Sequence, residues 1–269
     1  MGKVTPSGVF AEYVIPTADS GPTGIATGPD GNLWIAELSA HQVAKLTMSG
    51  VFTEYRTPSG SGPTDVVAGS DGNLWFTEFD SRIAKVTTSG FITEYSLPLQ
   101  KVSADNPFGV PATPDSIAAG PDGNLWFTEL ASYVGRITTS GVITEYPIPG
   151  ATGSNGPFDI AAGRDGNLWL TDFAGVIMKM TTSGVFTKFP IKTAESGLSD
   201  IAAAPDGSIW FTESIANKVA RLRSCVFTEY QIPTTEGAPQ DIAVASDGAV
   251  WFNEVSANKV ARLVPSGTP

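Results

Sequence analysis

Asp200 to Pro233 reads DIAAAPDGSIWFTESIANKVARLRSCVFTEYQIP. Four short runs in it, DIAA, SIWFTE, KVARL and VFTEYQI, are rich in β-branched and aromatic residues and are bounded by turn residues, so each reads as a β-strand. Asp206-Gly207 between the first two runs is a strong hairpin signal, because both residue types tolerate positive φ. The same unit recurs along the chain. All the tryptophans, Trp34, Trp75, Trp126, Trp169, Trp210 and Trp251, sit in copies of the phrase DGNLWFTE, spaced 41, 51, 43, 41 and 41 residues apart. That is the period of a four-stranded propeller blade, not of a helical solenoid. Six copies predict an all-β, six-bladed β-propeller with four antiparallel strands per blade, forming one domain over residues 1–269.

In the second strand Leu74 and Phe76 point to one side and Trp75 and Thr77 to the other, which puts apolar groups on both faces. Such a sheet must be covered on both sides, and radial packing between neighbouring blades does this. VFAEYVIP (Val9 to Pro16) reads as a fourth strand without its first three, while the last unit offers DIAV, AVWFNE and KVARL without a fourth. The expectation is that the N-terminal strand pairs with these three and closes the ring, removing the free edges.

The bulk numbers narrow the function. Net charge is −11, from 16 Lys and Arg against 27 Asp and Glu, and no basic run interleaves with aromatics. Nucleic acid is therefore not an expected partner, and no stretch approaches a membrane span. Cys225 is the single cysteine, so no internal disulfide forms. MGKVTPSG lacks the apolar core of a signal peptide. A monomer that binds a small molecule or a protein at the channel mouth is expected.

Variable connections on a rigid frame are where binding resides. The crossover from Ser96 to Pro114, containing KVSADNPFGVPATP, is about ten residues longer than the others and accounts for the 51-residue spacing. An acid ends the second strand of every unit: Glu37, Glu78, Glu129, Asp172, Glu213 and Glu254. These are expected along the channel rim. Each has a cation seven or eight positions later (Lys45, Lys85, Arg136, Lys179, Arg221, Arg262), and a hairpin could bring the two together. A residue repeated in every blade has a structural task in every blade, so pairing with these cations or capping of loops is the expected role. His41, the lone histidine, stands in SAHQVAKL where other units have SANKVARL, and reads as a turn residue. No histidine pair for zinc, no nucleophile elbow and no phosphate-binding loop is present.

Together, GPDGNLWFTE, NKVARL, the TTSG turns of other units and VITEYPIP resemble the streptogramin B lyases, the virginiamycin B lyase family of propellers, over essentially every repeat. The resemblance implies a seven-bladed enzyme that opens a cyclic depsipeptide by elimination at its ester, with magnesium and a histidine base helped by a glutamate. It places that histidine fourteen residues before the glutamate ending a second strand. In this chain those positions hold Thr23, Thr64, Asp115, Phe158, Ser199 and Gln240, none of them histidine. Removing a carbon-bound proton beside an ester needs a base titrating near the working pH, which Thr, Ser, Gln and Phe do not supply. Asp115 with Glu129 is the titratable pair that remains, and it adjoins the long crossover. The expected function is thus a binding scaffold of lyase-like fold without streptogramin lyase activity. The alternative is a metal-assisted lyase or hydrolase using Asp115 and Glu129, with magnesium the cofactor that the resemblance implies.

Overall fold

The computed structural model describes residues 1–5, 7–100, 110–151, 156–172 and 175–265. The chain is an all-β, six-bladed propeller of antiparallel sheets, with one 3-10 turn, Val255–Ala257, among the described residues. It divides into two compact units, Met1–Pro98 and Leu99–Pro269. The first holds a hairpin of β1 (Gly2–Val4) and β2 (Phe10–Glu12), then blade one, β3 (Pro22–Thr27), β4 (Leu33–Glu37), β5 (Gln42–Leu46) and β6 (Phe52–Arg56). Blade two follows as β7 (Pro63–Ala68), β8 (Leu74–Glu78), β9 (Arg82–Val86) and β10 (Ile92–Ser96).

In the second unit, blade three is β11 (Pro114–Ala119), β12 (Leu125–Glu129), β13 (Tyr133–Ile137) and β14 (Ile143–Pro147). Blade four is β15 (Pro157–Ala162), β16 (Leu168–Asp172), β17 (Val176–Met180) and β18 (Phe186–Pro190). Blade five is β19 (Leu198–Ala203), β20 (Ile209–Glu213), β21 (Lys218–Arg223) and β22 (Val226–Gln231). Blade six has three strands, β23 (Pro239–Val244), β24 (Val250–Glu254) and β25 (Lys259–Leu263).

Two sequence expectations need correction. The Val9–Pro16 phrase does not complete the last sheet: β2 pairs with β1, Gly2 opposite Glu12 and Val4 opposite Phe10. The reason is local. The Val9 amide donates to Thr5 Oγ1 (3.0 Å) as Val51 does to Thr47 (3.0 Å), the bond found where third and fourth strands join elsewhere. Gly-Lys-Val is thus a third strand, and a hairpin closes here at far lower entropic cost than a long-range pairing. In the Asp-Gly turns, moreover, the glycine alone takes positive φ, for instance Gly123 at 79°. The aspartate keeps an ordinary conformation because its carboxylate is engaged. Asp122 Oδ1 accepts from the Asn124 amide (3.2 Å) and from the Trp126 indole (3.0 Å).

That indole is the centre of each blade. Trp126 stacks on Tyr146 of the fourth strand at 5.4 Å, and the Arg136 guanidinium lies over its ring at 5.7 Å. Lys45, Lys85, Lys179, Arg221 and Arg262 cover the other tryptophans at 5.1–5.7 Å. The cations therefore cap the indoles instead of pairing with the second-strand acids. Register decides this: Arg136 lies directly opposite Trp126, while Glu129 lies opposite Tyr133 at the other end of the ladder. Neighbouring blades in each unit then bury these faces together, as when Trp34 packs with Leu74 and Phe76, or Trp210 with Ile242, Val250 and Phe252.

Candidate functional site

Each first strand contains a bulge. In β11 the register slips between Pro114, opposite Glu129, and Ile117, opposite Phe127; the same slip occurs in the other five first strands. A bulge leaves a ladder amide without its strand partner and re-aims the extra side chain. Here the second strand supplies the acceptor. Thr128 Oγ1 takes the Ser116 amide (3.0 Å), Thr171 the Asp159 amide (3.0 Å) and Thr212 the Asp200 amide (3.1 Å). The same hydroxyls donate onward to the next blade, at Phe158 O (2.9 Å), Ser199 O (2.7 Å) and Gln240 O (2.6 Å).

The re-aimed side chains form a polar belt. Asp159 Oδ2 accepts the Ile201 amide of the next blade (2.8 Å), Asp200 Oδ2 accepts the Ile242 amide (2.6 Å), and Ser116 donates to Asp159 Oδ1. Burial, followed by the Asp159 charge, holds the Asp200 carboxyl well above the usual range. Asp241 is also raised, again by burial first. Sequence reading missed this belt, although Asp before an apolar pair in TDVV, FDIA, SDIA and QDIA was its signal.

Asp115, half-buried on β11, belongs to the same layer. Burial pushes its carboxyl up to about 6, and the Asp159 charge adds to this. Glu129 is fully buried, both oxygens have no hydrogen-bond partner among the described residues, and burial pushes it up to about 9, with the Glu145 charge behind. The two predicted residues are thus on adjacent strands, with Glu129 opposite Pro114, but each is raised first by burial and then by a different carboxylate, Asp159 for Asp115 and Glu145 for Glu129. The other strand-ending acids are buried too: Glu37, Glu78, Asp172, Glu213 and Glu254 are all at most 4% exposed, so they do not form an open, solvated rim. Burial and the nearby Glu94 raise Glu78 to about 8, and burial and Glu229 raise Glu213 to about 7.

His41 is an exposed turn residue in the left-handed region, φ 56°, where other blades place Ser81, Ser132, Asn217 and Asn258 in the same conformation. Residues 101–109 of the long crossover lie outside the described residues, and Gln100 and Val110 on either side of them form an antiparallel bridge. The magnesium implied by the family resemblance finds no donor set: no three His, Cys, Asp or Glu side chains converge among the described residues. Asp159 and Asp200 already accept backbone amides. An open cleft of about 500 Å3 lies beside the N-terminal hairpin, lined by Met1, Glu12, Tyr13, Thr17 and Ser20 among others.

The virginiamycin B lyase family model matches residues 1–116 and 108–268, which together span nearly the whole chain. The chain belongs to the virginiamycin B lyase family. Selenomethionine-substituted virginiamycin B lyase from Staphylococcus aureus superimposes with a TM-score of 0.89 at 34% identity, covering 98% of this chain and 87% of that one. A catalytically inactive histidine-to-alanine form of the same enzyme, with quinupristin, gives a TM-score of 0.85 at 35% identity over 95% of this chain and 84% of that one. Virginiamycin B lyase from Nocardia farcinica is 38% identical over 58 residues, 22% of this chain and 20% of that relative's length.

Proposed function

We propose that this virginiamycin B lyase family propeller is a ligand- or protein-binding scaffold without streptogramin lyase activity of its own. One observation carries the reading. The chain's single histidine sits on an exposed left-handed turn, whereas four of the positions where the family resemblance places a base take part in hydrogen bonds within or between blades. The Phe158, Ser199 and Gln240 carbonyls accept threonine hydroxyls, and the Thr64 hydroxyl meets that of Thr77 at 2.7 Å. None of these side chains takes a proton from carbon. The inactive S. aureus form recorded with quinupristin supports the separation of binding from turnover in a relative.

The test incubates the protein with quinupristin and magnesium and follows linearisation by reversed-phase chromatography, since elimination leaves the mass unchanged. The expected outcome is an intact depsipeptide. Ring opening at an enzyme-like rate overturns the proposal, and His41→Ala and Asp115→Asn then locate the base.

A second reading rests on Asp115. A carboxyl titrating at about 6 is ionised at neutral pH yet basic enough to accept a proton, while Glu129, at about 9, stays protonated and can donate. This pair would serve a lyase or hydrolase without a metal built from the described residues. Activity that rises with pH through about 6 and disappears in Asp115→Asn is its signature; pH-independent activity would exclude it.

A further inference from the structure

We infer that blade three holds a seat for a primary ammonium group, the cation of a small amine, between Glu129 and Glu145. Blade five shows what such a seat receives. There Lys218 opens the third strand, and its Nζ donates to Glu229 of the fourth strand (2.6 Å) and to the Thr193 hydroxyl (3.2 Å), while its charge also acts on Glu213. One ammonium thus serves the two acids that the blade carries on its second and fourth strands.

Blade three keeps both acids without that cation. Tyr133 lies opposite Glu129 and Pro147, where Lys218 lies opposite Glu213 and Gln231. Blade one supplies an amide instead, Gln42 Nε2 donating to Glu37 (2.6 Å), and blade two supplies Arg82, 4.0 Å from Glu94. Blade four sets Lys188 in the fourth-strand place of Glu145. Among the described residues of blades one to five, only blade three joins two such glutamates with neither a cation nor an amide at the third-strand position.

Two features point to a ligand beyond the acids themselves. Glu129 is fully buried and neither of its oxygens has a hydrogen-bond partner among the described residues, and Glu145 Oε1 is buried without one as well. Gly135 then aims Glu129 at its neighbour. Glu145 lies opposite Gly135, and a Cβ at 135 would stand 2.8 Å from Glu129 Oε1, so the glycine lets that carboxyl lean across the third strand. Blades one, two and five have Ala44, Ala84 and Ala220 at this position. Tyr133 and Glu145 are half-buried and Pro147 is exposed, which leaves a way in from the fourth-strand edge. An ammonium brings three N–H donors and one positive charge, which meet the unpartnered oxygens and offset the cost of a buried carboxylate. Glu129, raised to about 9 by burial and then by Glu145, releases its proton to solvent as the ammonium binds. The seat involves neither Asp115 nor the opening of streptogramins, so it stands or falls apart from the function proposed above.

The probe is propylammonium, added to the whole protein at pH 7 and constant ionic strength and read by the carboxyl-carbon NMR signals of Glu129 and Glu145. The expected result is saturable movement of the Glu129 signal to its ionised position, with no effect of tetramethylammonium, which has no N–H. Glu145→Gln should weaken binding about tenfold, the scale of one hydrogen bond to a charged group. Tyr133→Lys should abolish it by supplying the ammonium from the chain. Lys218→Ala should create a second seat in blade five, where propylammonium returns Glu229 toward its low value. No shift up to about 0.1 M amine, an equal response to tetramethylammonium, potassium or magnesium, or full binding in Tyr133→Lys each overturns the inference. The two lysine exchanges fill one blade and empty the other, so a variant that fails to fold on one side leaves the other to decide.

Discussion

Blades three and five share the same frame, with Trp126 and Trp210 each stacked on a tyrosine under a guanidinium, yet they hold their buried acids in different states. In each, a glutamate ends the second strand and a second glutamate lies on the fourth. Blade five opens its third strand with Lys218, which forms an ion pair with Glu229 and holds that carboxyl below its usual range. Glu213 is then raised by burial to about 7, with Lys218 offsetting part of the shift. Blade three has Tyr133 in that place, which brings no positive charge. Burial raises Glu145, and Glu129 reaches about 9. Burial therefore raises the strand-ending carboxyl in both blades, and the residue that opens the third strand adjusts how far.

The largest expected effect tests the sameness of the frames. Trp126→Ala and Trp210→Ala should each lower stability by about 4 kcal/mol, the usual cost of emptying a buried tryptophan site. Urea melts that separate the two by more than half of that amount would break the claim of a common frame.

Next comes the difference between the acids. A carboxyl raised in the fold is protonated there while its unfolded counterpart ionises. Its favourable contribution is complete below about 4.5 and is lost as pH rises toward the folded value, about 9 for Glu129 and about 7 for Glu213. Glu129→Gln removes the titration, so it should leave stability unchanged at pH 4.5 and raise it by about 3 kcal/mol at pH 7. Glu213→Gln should gain less, because its window closes earlier. Chemical denaturation across pH 4.5 to 9 distinguishes the two.

Exchanging the controlling residue sharpens the point. Tyr133→Lys should draw Glu129 down from about 9 toward the value of about 7 held by Glu213, and Lys218→Tyr should push Glu213 up. Carboxyl-carbon NMR titrations read both, and unmoved values would mean that burial alone governs these acids. The smallest effect concerns the caps. Arg136→Ala and Arg221→Ala should each cost about 1 kcal/mol, equal in the two blades, as lost cation–π contacts.

The fold was legible because its signal is local and repeated: the Asp-Gly turn, the apolar strand beside it and the single tryptophan all lie within a few residues of one another. What escaped depends on register. Arg136 stands seven residues after Glu129 in sequence, yet the hairpin sets it opposite Trp126, so spacing suggested the wrong partner. The N-terminal hairpin escaped because its first strand is three residues long and exposed, too short for an apolar pattern to show. The belt of Asp159 and Asp200 depends on a bulge, which slides the side chain by one position and cannot be seen in strand periodicity. Asp115 and Glu129 are titratable in the sequence, but burial, which raises both, and the carboxylates that add to it, Asp159 and Glu145 on other strands, depend on the fold.

The belt also gives the second unit a direction. Each aspartate clasps the amide of the blade that follows it and not the one before, so Ile201 depends on blade four and Ile242 on blade five. Loosening of blade four should be heard downstream, as faster solvent exchange at Ile201 with little change in its own strand partners, while loosening of blade six should leave Ile201 silent. The propeller in this region behaves as a queue in which each member holds the sleeve of the next.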